Sequence, residues 1–309
     1  MINSFHEPVL VGAVLRFLIT DPGGVYVDGT LGGGGHAESV LNQLSNCGEL
    51  IGFDEDAEAI ESAKNRLSRF QPRVHFCQNN FSDIKSGVQQ IGFEKVNGVI
   101  FDLGVSSHQI DDGRRGFSYQ LDGPLDMRMN TKQKISAFDI VNSYSRERLI
   151  KIFREYGEER FSVRIVNKII EERHWKRIEA TKELAAIVEL CVSGRFLHKS
   201  LARIFQSIRI EVNNELGNLK KGLIDAINIL QPGGKIVVLS YHSLEDRIVK
   251  DIFRAASQKT VSSGNKLLPD KIQAPLLNLM FKKPIESDEE ENMRNPRARS
   301  AKLRAAERL

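Results

Sequence analysis

Short apolar runs alternate with helical patterns through the first hundred residues of the chain. Four runs predict strands, because they are almost continuously apolar, as strands buried on both faces of a parallel sheet are: Val25–Asp28, residues 49–54, Val74–Cys77 and residues 96–103. Residues 37–44 and 57–70 between them predict helices, the second with Ala59, Ala63 and Leu67 at four-residue spacing. This alternation predicts an α/β, doubly wound domain.

The alternation then stops, and helical patterns take over. Residues 105–145 are rich in Asp, Gly, Ser and Arg and show no sustained period. Helices are predicted at residues 146–156, 161–172 and 181–192, the last with Thr181 as its N-cap. One long helix is predicted over residues 208–230, because its apolar residues recur at spacings of three and four: Ile208, Val212, Leu216, Leu219, Leu223, Ile227 and Leu230.

The sheet resumes only with a fifth apolar run at residues 235–240, after a stop signal of Pro232 and two glycines. A structureless connection of this length is rare in compact domains. We therefore expect two domains: residues 1–109 and 206–309 form the sheet domain, and residues 110–205 form an inserted, mostly helical domain.

Composition narrows the class of protein. Hydrophobic residues make up 41% of the chain, which is ordinary for a soluble globular protein. No apolar run is long enough to span a membrane, and the first residues do not resemble a secretory signal. The three cysteines, Cys47, Cys77 and Cys191, are too dispersed for a disulfide framework or a zinc site. We expect a cytoplasmic protein with no membrane partner.

The net charge of +4 permits an anionic partner. Residues 294–309 contain six bases, which are either phosphate ligands or a solvated surface. Residues 146–177 carry ten Lys and Arg against six Glu. Within that stretch Arg164, Lys168 and Arg173 are candidate phosphate contacts, with a solvated helix face as the alternative.

A glycine loop between the first strand and the first helix predicts a cofactor site. The strand ends at Asp28, four glycines follow at residues 32–35, and Asp54 ends the next strand. Glycines let the backbone approach a ligand closely, and an acid at the next strand tip accepts hydrogen bonds from ribose hydroxyls. A P-loop is excluded because no Lys-Ser or Lys-Thr follows. An acid at Asp28 is typical of sites that meet the amino group of a methionine moiety, which favours S-adenosylmethionine over NAD.

Ten strings carry a family resemblance that spans nearly the whole chain. They are residues 6–10 (HEPVL), 28–36 (DGTLGGGGH), 101–107 (FDLGVSS), 115–118 (RGFS), 122–129 (DGPLDMRM), 156–161 (YGEERF), 205–206 (FQ), 209–210 with 212–213 (RI and VN), 240–248 (SYHSLEDRI) and 295–300 (NPRARS). In this order they resemble the bacterial 16S rRNA cytosine-N4-methyltransferase family. The resemblance implies a Rossmann-like class I methyltransferase sheet with a helical insertion for RNA recognition. It also implies methylation of a decoding-region cytosine in the small ribosomal subunit, with tuning of the ribosomal P site.

The resemblance also assigns cofactor positions, and we expect no metal because the sulfonium methyl is already electrophilic. The implied S-adenosylmethionine contacts are Gly34, Gly35, His36, Asp54, Phe81, Asp102 and Gln109. We expect His36 to contribute its backbone N–H, and Phe81 either to flank adenine or to pack in the core. The chain departs from the family at Leu31, Gly33, His108 and Tyr241, where Phe, Arg, Pro and Phe are common, and in the segment near His198.

The end of the fourth strand is where we expect the reaction. The sulfonium methyl is already electrophilic, whereas the cytosine amine delocalises its lone pair into the ring, so the site must place acceptors against its N–H groups and align both partners. Asp102 is the candidate acceptor, or a carbonyl of Leu103 or Gly104, with Ser106 assisting. Asp102 alternatively positions the methionine amino group, and Ser106 and Ser107 are alternatively turn residues. His242 is a candidate wall or proton path.

Three arginines in the irregular stretch are candidates for RNA contact. Arg114, Arg115 and Arg128 either bind phosphates or pair with the neighbouring acids Asp111, Asp112, Asp122 and Asp126. Two competing functions stay open: a non-catalytic Rossmann-like ribosome assembly factor and an NAD-dependent oxidoreductase. The sequence leaves the oligomeric state undetermined.

Overall fold

The computed structural model describes residues 8–261 and 271–309, which fall into two compact units. The sheet unit consists of the described residues of Met1–Gly104 and Leu216–Leu309, and the helical unit is Val105–Glu215. The helical unit begins before and ends after the predicted insertion of residues 110–205. His6 and Glu7 of the first string lie outside the described residues.

The first half of the sheet unit alternates helices and strands. Its elements are α1 (Val11–Leu18), β1 (Val25–Asp28), α2 (Gly35–Leu41), β2 (Glu49–Phe53), α3 (Ala57–Leu67), β3 (Val74–Cys77), α4 (Ile84–Ile91) and β4 (Val96–Asp102). All four predicted strands are confirmed, and so are the helices predicted at residues 37–44 and 57–70, each with shifted ends. The helices α1 and α4 were not predicted from the sequence.

The helical unit packs its helices around a core of its own. They are α5 (Ser107–Asp111), α6 (Ala137–Ser143), α7 (Arg146–Glu155), α8 (Ser162–Trp175), α9 (Thr181–Cys191) and α10 (Leu197–Asn213). Phe153, Ile165 and Ile204 belong to its buried cluster. The prediction that Thr181 is the N-cap of its helix is wrong, because Ala180 holds that position. The Thr181 hydroxyl instead donates to the carbonyl of Leu121 at 2.7 Å.

The prediction of one helix over residues 208–230 is also wrong. The helix α10 ends at Asn213, and α11 spans Glu215–Ile229. Between them Asn214 has a φ of 47°, in the left-handed region that asparagine tolerates better than most residues. The apolar stripe stays in phase on both sides of this single residue, so hydrophobic spacing alone does not reveal the break.

The rest of the sheet unit completes the sheet. Its elements are β5 (Leu230–Ser240), α12 (Ser243–Ser257), β6 (Thr260–Val261), β7 (Lys271–Ile272), β8 (Leu277–Leu279), β9 (Ile285–Glu286), α13 (Glu289–Arg294) and β10 (Lys302–Arg308). The predicted fifth strand is confirmed as the second part of β5. Among the helices of the described ranges, none is long and apolar enough to cross a membrane.

The main sheet has the strand order β3-β2-β1-β4-β5-β10-β8, with β9 paired to β10. Strands β1 to β5 run parallel, and β10 is antiparallel to β5. Alternate residues of a strand belong to the two hydrophobic cores on opposite faces of the sheet. Tyr26 and Leu50 pack with α1, α2 and α3, whereas Val27 and Ile51 pack with α4, α11 and α12. Helices therefore cover both faces, which confirms the predicted doubly wound α/β class.

The basic C-terminal segment supplies a strand of the sheet. Leu303 and Ala305 of β10 are buried, and Nε of Arg304 lies 2.6 Å from Oδ1 of Asp246. Arg308 donates to the carbonyl of Leu276 at 2.9 Å. For Arg304 and Arg308 the structure thus shows contacts within the sheet unit, whereas Arg294 and Arg299 are exposed and both alternatives stay open for them.

Candidate functional site

The glycine loop connects β1 to α2 at the carboxyl edge of the parallel strands. Gly32 and Gly34 have φ values of 49° and 80°, which residues with a Cβ rarely adopt. A Cβ on Gly34 would also lie 3.3 Å from Cδ1 of Leu67 on α3. The loop thus makes a tight turn against α3, and this turn requires glycine.

The tip of β2 holds this loop through Asp54. Its Oδ2 accepts a hydrogen bond from the backbone N–H of Gly32 at 2.8 Å, and its Oδ1 accepts one from the N–H of Asp56 at 2.9 Å. Asp56 in turn caps α3 by accepting from the N–H of Glu58. Asp54 is therefore oriented by two backbone donors, and a carboxylate oxygen can accept further hydrogen bonds.

Asp102, the last residue of β4, lies beside the glycine loop. Its backbone N–H donates to the hydroxyl of Thr30 at 2.6 Å. Its Oδ1 accepts a hydrogen bond from Oη of Tyr241 at 2.7 Å, and its Oδ2 lies 3.5 Å from Nε2 of His36. The side chain remains 27% exposed. Asp102 is thus held on two sides and open on another.

Asp28 and His36 form a buried titratable pair next to Asp102. The side chain of Asp28 is 1% exposed, and its Oδ2 has no hydrogen-bond partner within residues 8–261 and 271–309. Burial raises the pKa of Asp28 to about 7. Burial alone would lower the pKa of His36, but the Asp102 and Asp28 carboxylates outweigh it, so the pKa is raised. The sequence predicted only a backbone role for His36, whereas the structure also places its imidazole against Asp102.

Phe81 follows β3 and contributes to the core of the sheet unit. Its ring centroid lies 5.2 Å from that of Phe101, and a Cβ on Gly222 would come within 2.6 Å of its Cδ2. The ring is nevertheless only half-buried. The structure therefore shows the core-packing role directly, and the adenine contact stays a prediction.

Ser106 and Gln109 belong to the helical unit, where they form a capping box at the start of α5. The hydroxyl of Ser106 accepts from the N–H of Gln109, and Oε1 of Gln109 accepts from the N–H of Ser106, both at 3.2 Å. This geometry favours the turn role for Ser106. Its assistance in catalysis and the cofactor contact of Gln109 stay predictions.

The three arginines of the irregular stretch order their own loops. Nη2 of Arg114 lies 2.8 Å from Oδ2 of Asp112, and Arg114 lowers the pKa of that carboxyl to about 2. Nε of Arg128 lies 2.6 Å from Oδ1 of Asp126. Arg115 is buried and donates to two backbone carbonyls. The structure thus favours loop ordering over phosphate binding for Arg115 and Arg128.

The helix α8 carries the three predicted phosphate contacts, and the structure distinguishes them. Arg173 donates to the carbonyls of Val141 at 2.7 Å and Tyr144 at 2.8 Å. Lys168 pairs with Glu172 at 2.7 Å and with Glu171 at 3.1 Å. Arg164 is exposed. Treating the three as one phosphate-binding set is therefore wrong, because Arg173 fastens α8 to its neighbours.

The turn from β5 into α12 contains Tyr241 and Glu245, whose contacts were not predicted from the sequence. His242, predicted as a wall or proton path, is the N-cap of α12, and its Nε2 lies 3.1 Å from Oε1 of the buried Glu245. Tyr241 was noted only as a departure from the family. The contact of Tyr241 with Asp102 and the contact of Glu245 with His242 form only in the folded turn. The only sequence signal for these residues is that they follow a buried strand.

Comparisons with known proteins agree with the sequence strings. A family model described as the MraW methylase family matches residues 3–309. A protein of Clostridioides difficile (strain 630) named Ribosomal RNA small subunit methyltransferase H is 44% identical over 307 residues, which cover 98% of this chain and 99% of the relative. A protein of the same name from Carboxydothermus hydrogenoformans is 44% identical over 306 residues, covering 98% of each. A solved putative rRNA-methylase from Clostridium thermocellum is 13% identical, with a TM-score of 0.46 over 97% of this chain and 95% of that one.

The family match spans almost every residue, and the two identities extend over nearly the full length of both relatives. The resemblance predicted from the ten strings is therefore confirmed: the chain is a methyltransferase and belongs to the MraW methylase family.

Proposed function

We propose that this enzyme transfers the methyl group of S-adenosylmethionine to the exocyclic N4 of a cytosine in the decoding region of small-subunit rRNA, and thereby tunes the ribosomal P site. One observation carries the proposal: Asp28, Asp54 and Asp102 converge on one glycine loop at the carboxyl edge of the sheet. The rRNA substrate is supported by the names of the two relatives. The decoding-region cytosine is supported by the ten strings.

The residues of this edge fit the proposed cofactor. The two oxygens of Asp54 accept backbone hydrogen bonds from the glycine loop and from Asp56, and a carboxylate oxygen accepts more than one hydrogen bond, so Asp54 suits two ribose hydroxyls. Oδ2 of Asp28, which has no hydrogen-bond partner among the described residues, matches the ammonium of the methionine moiety, because a buried carboxylate oxygen is costly without a partner. We expect Gly34, Gly35 and His36 to offer backbone groups and the exposed edge of Phe81 to cover adenine.

The chemistry that we assign to the chain is orientation and proton acceptance. The bound cofactor supplies an electrophilic methyl group. Asp102 accepts a hydrogen bond from the cytosine amine, which turns the nitrogen lone pair away from the ring and towards that methyl. The lost N4 proton then has an acceptor at the same carboxylate. The alternative role of Asp102, positioning the methionine ammonium, uses the same open edge of its side chain.

The helical unit is our proposed RNA-binding part. Trp175, the only tryptophan of the chain, is 83% exposed at the end of α8, and the exposed Lys176 and Arg177 follow it. Aromatic rings that stack on bases and cations that meet phosphates are what single-stranded RNA requires. The target base must also leave its stack to be methylated. We place the reaction in the cytoplasm, in keeping with three free cysteines in the described ranges.

A methyl-transfer assay tests the proposal. The purified protein is incubated with S-adenosylmethionine labelled on its methyl group and with small subunits that lack the modification, or with free rRNA, and the nucleosides are separated. We expect label in N4-methylcytidine. Label in another nucleoside would contradict the N4 assignment. Subunit binding without label would contradict methyl transfer to this rRNA.

A further inference from the structure

We propose that, in this chain, Tyr241 is a positioning residue, whose hydroxyl holds the Asp102 carboxylate in one orientation for the methyl transfer. This inference rests on the proposed function, since it assigns Tyr241 a role only through Asp102. The two residues are 139 positions apart, and the fold joins them by a 2.7 Å hydrogen bond from Oη of Tyr241 to Oδ1 of Asp102.

The turn after β5 holds Tyr241 in place for this contact. Asp102 is in register with Leu239 on the neighbouring parallel strand β5, so Tyr241 lies two residues beyond its strand partner. The backbone N–H of Tyr241 donates to Oε2 of the buried Glu245 at 2.9 Å. The ring lies against Gly104, where a Cβ would be 3.6 Å from Cδ2 of Tyr241. The backbone and ring of Tyr241 are therefore held in place, and its hydroxyl reaches Asp102 from a fixed position.

The Tyr241 hydroxyl holds one oxygen of the Asp102 carboxylate, and the His36 imidazole lies near the other. Oδ1 accepts from Tyr241, and Oδ2 faces Nε2 of His36 at 3.5 Å. The hydrogen bond from Tyr241 restricts rotation about χ2 of Asp102 and leaves the exposed part of its side chain in one orientation. Burial and the Asp102 carboxylate raise the pKa of Tyr241 well above 10. The hydroxyl thus stays protonated and remains a donor at every pH at which the enzyme would act.

A double-mutant cycle separates positioning from a merely structural contribution. Four proteins are compared: wild type, Tyr241→Phe, Asp102→Ala and the double variant. The readouts are the affinity for S-adenosylmethionine by calorimetry and the single-turnover rate on small subunits. Phenylalanine keeps the ring and removes only the hydroxyl. We expect Tyr241→Phe to lower the affinity or the rate about tenfold, and to change neither by more than about twofold when Asp102 is already alanine.

Tyr26→Phe is the matched control. The Tyr26 hydroxyl accepts from the N–H groups of Thr20 and Asp21 at 3.0 Å and donates to the carbonyl of Asp21 at 2.9 Å. Removing that hydroxyl should lower the melting temperature and leave both readouts at wild-type values. It shows what the loss of a purely structural tyrosine hydroxyl does in the same unit.

The remaining outcomes distinguish the two claims. Wild-type affinity and rate in Tyr241→Phe would overturn the positioning role and leave the proposed function standing. Equal losses in the wild-type and Asp102→Ala backgrounds would overturn it too, because the hydroxyl would then act independently of Asp102. Wild-type affinity and rate in Asp102→Ala would instead contradict the proposed function of Asp102 itself.

Discussion

The backbone N–H of Gly32 donates a 2.8 Å hydrogen bond to Oδ2 of Asp54. The glycine loop after β1 and the acidic tip of β2 are therefore joined directly. An acid that we expect to bind the ribose also determines the conformation of the loop on which the rest of the cofactor would lie. Substitutions at Asp54 should for that reason affect both affinity and local stability.

Asp54→Ala should weaken S-adenosylmethionine binding about 30- to 1,000-fold, since charge-assisted hydrogen bonds of about 2–4 kcal/mol are lost. Isothermal calorimetry measures this. The control is Asp56→Ala, which removes the N-cap of α3 and should cost about 1 kcal/mol of stability with unchanged affinity. Wild-type affinity in Asp54→Ala would remove the ribose assignment.

The stability of the protein should fall as the pH rises from about 4 to 7. The folded pKa of Asp28 is about 7, above its ordinary value of 3.8, so in this window the folded protein retains a proton that the unfolded chain releases. The contribution present below pH 4 is lost as the pH passes 7, and amounts to about 4 kcal/mol. Asp28→Asn cannot ionise and should lack this contribution to the pH dependence. Urea unfolding at several pH values checks this, and parallel curves for the two proteins would contradict it.

Binding of S-adenosylmethionine at pH 7 should release about half a proton. A cation beside Oδ2 of Asp28 would lower the pKa of that carboxyl from about 7, so the protonated fraction would ionise on binding. Calorimetry in buffers with different ionisation enthalpies measures the released protons. No release is expected from Asp28→Asn, or from the wild type at pH 9. A buffer-independent binding heat for the wild type at pH 7 would show that the ammonium does not meet Asp28.

Reversing two exposed charges of the helical unit should weaken binding to small subunits. Arg164→Glu with Arg177→Glu is the informative pair, because Arg173 has a structural task. Loss of two phosphate contacts should reduce the log–log salt slope by about 1.4 and leave cofactor affinity unchanged. Lys64→Glu with Lys85→Glu makes the same charge change on the sheet unit and should leave the slope unaltered. Equal effects of the two pairs would mean that net charge alone matters, and would contradict an RNA surface on the helical unit.

The part of the fold that local pattern controls was predictable. The strands β1 to β4 are continuous apolar runs, and the site begins where those runs end in Asp28, Asp54 and Asp102. The strand β10 was missed because its charged residues dominate the composition, although Leu303 and Ala305 alternate with Arg304 at the period of a strand. The two-residue period of a strand was present in the sequence, but the segment was interpreted from its charged residues alone.

Other features depend on contacts that no local pattern encodes. The left-handed Asn214 interrupts an apolar stripe without shifting its phase, and side-chain hydrogen bonds of Asn213 to Met127 and Met129 accompany the break. The Tyr241–Asp102 bond joins two strand ends that become neighbours only in the folded sheet. The buried imidazole of His36 likewise acquires its partner only in the fold.

Mapping N4-methylcytosine in small-subunit rRNA from living cells tests the central claim most directly. Three strains are compared: one with this protein, one without it, and one that carries Asp102→Ala at the same protein level. We expect one decoding-region cytosine to carry the N4-methyl group in the first strain and to lack it in the second. In the third strain the modification should be absent or strongly reduced. An unchanged N4-methylcytosine content in the strain without the protein would contradict the proposed function.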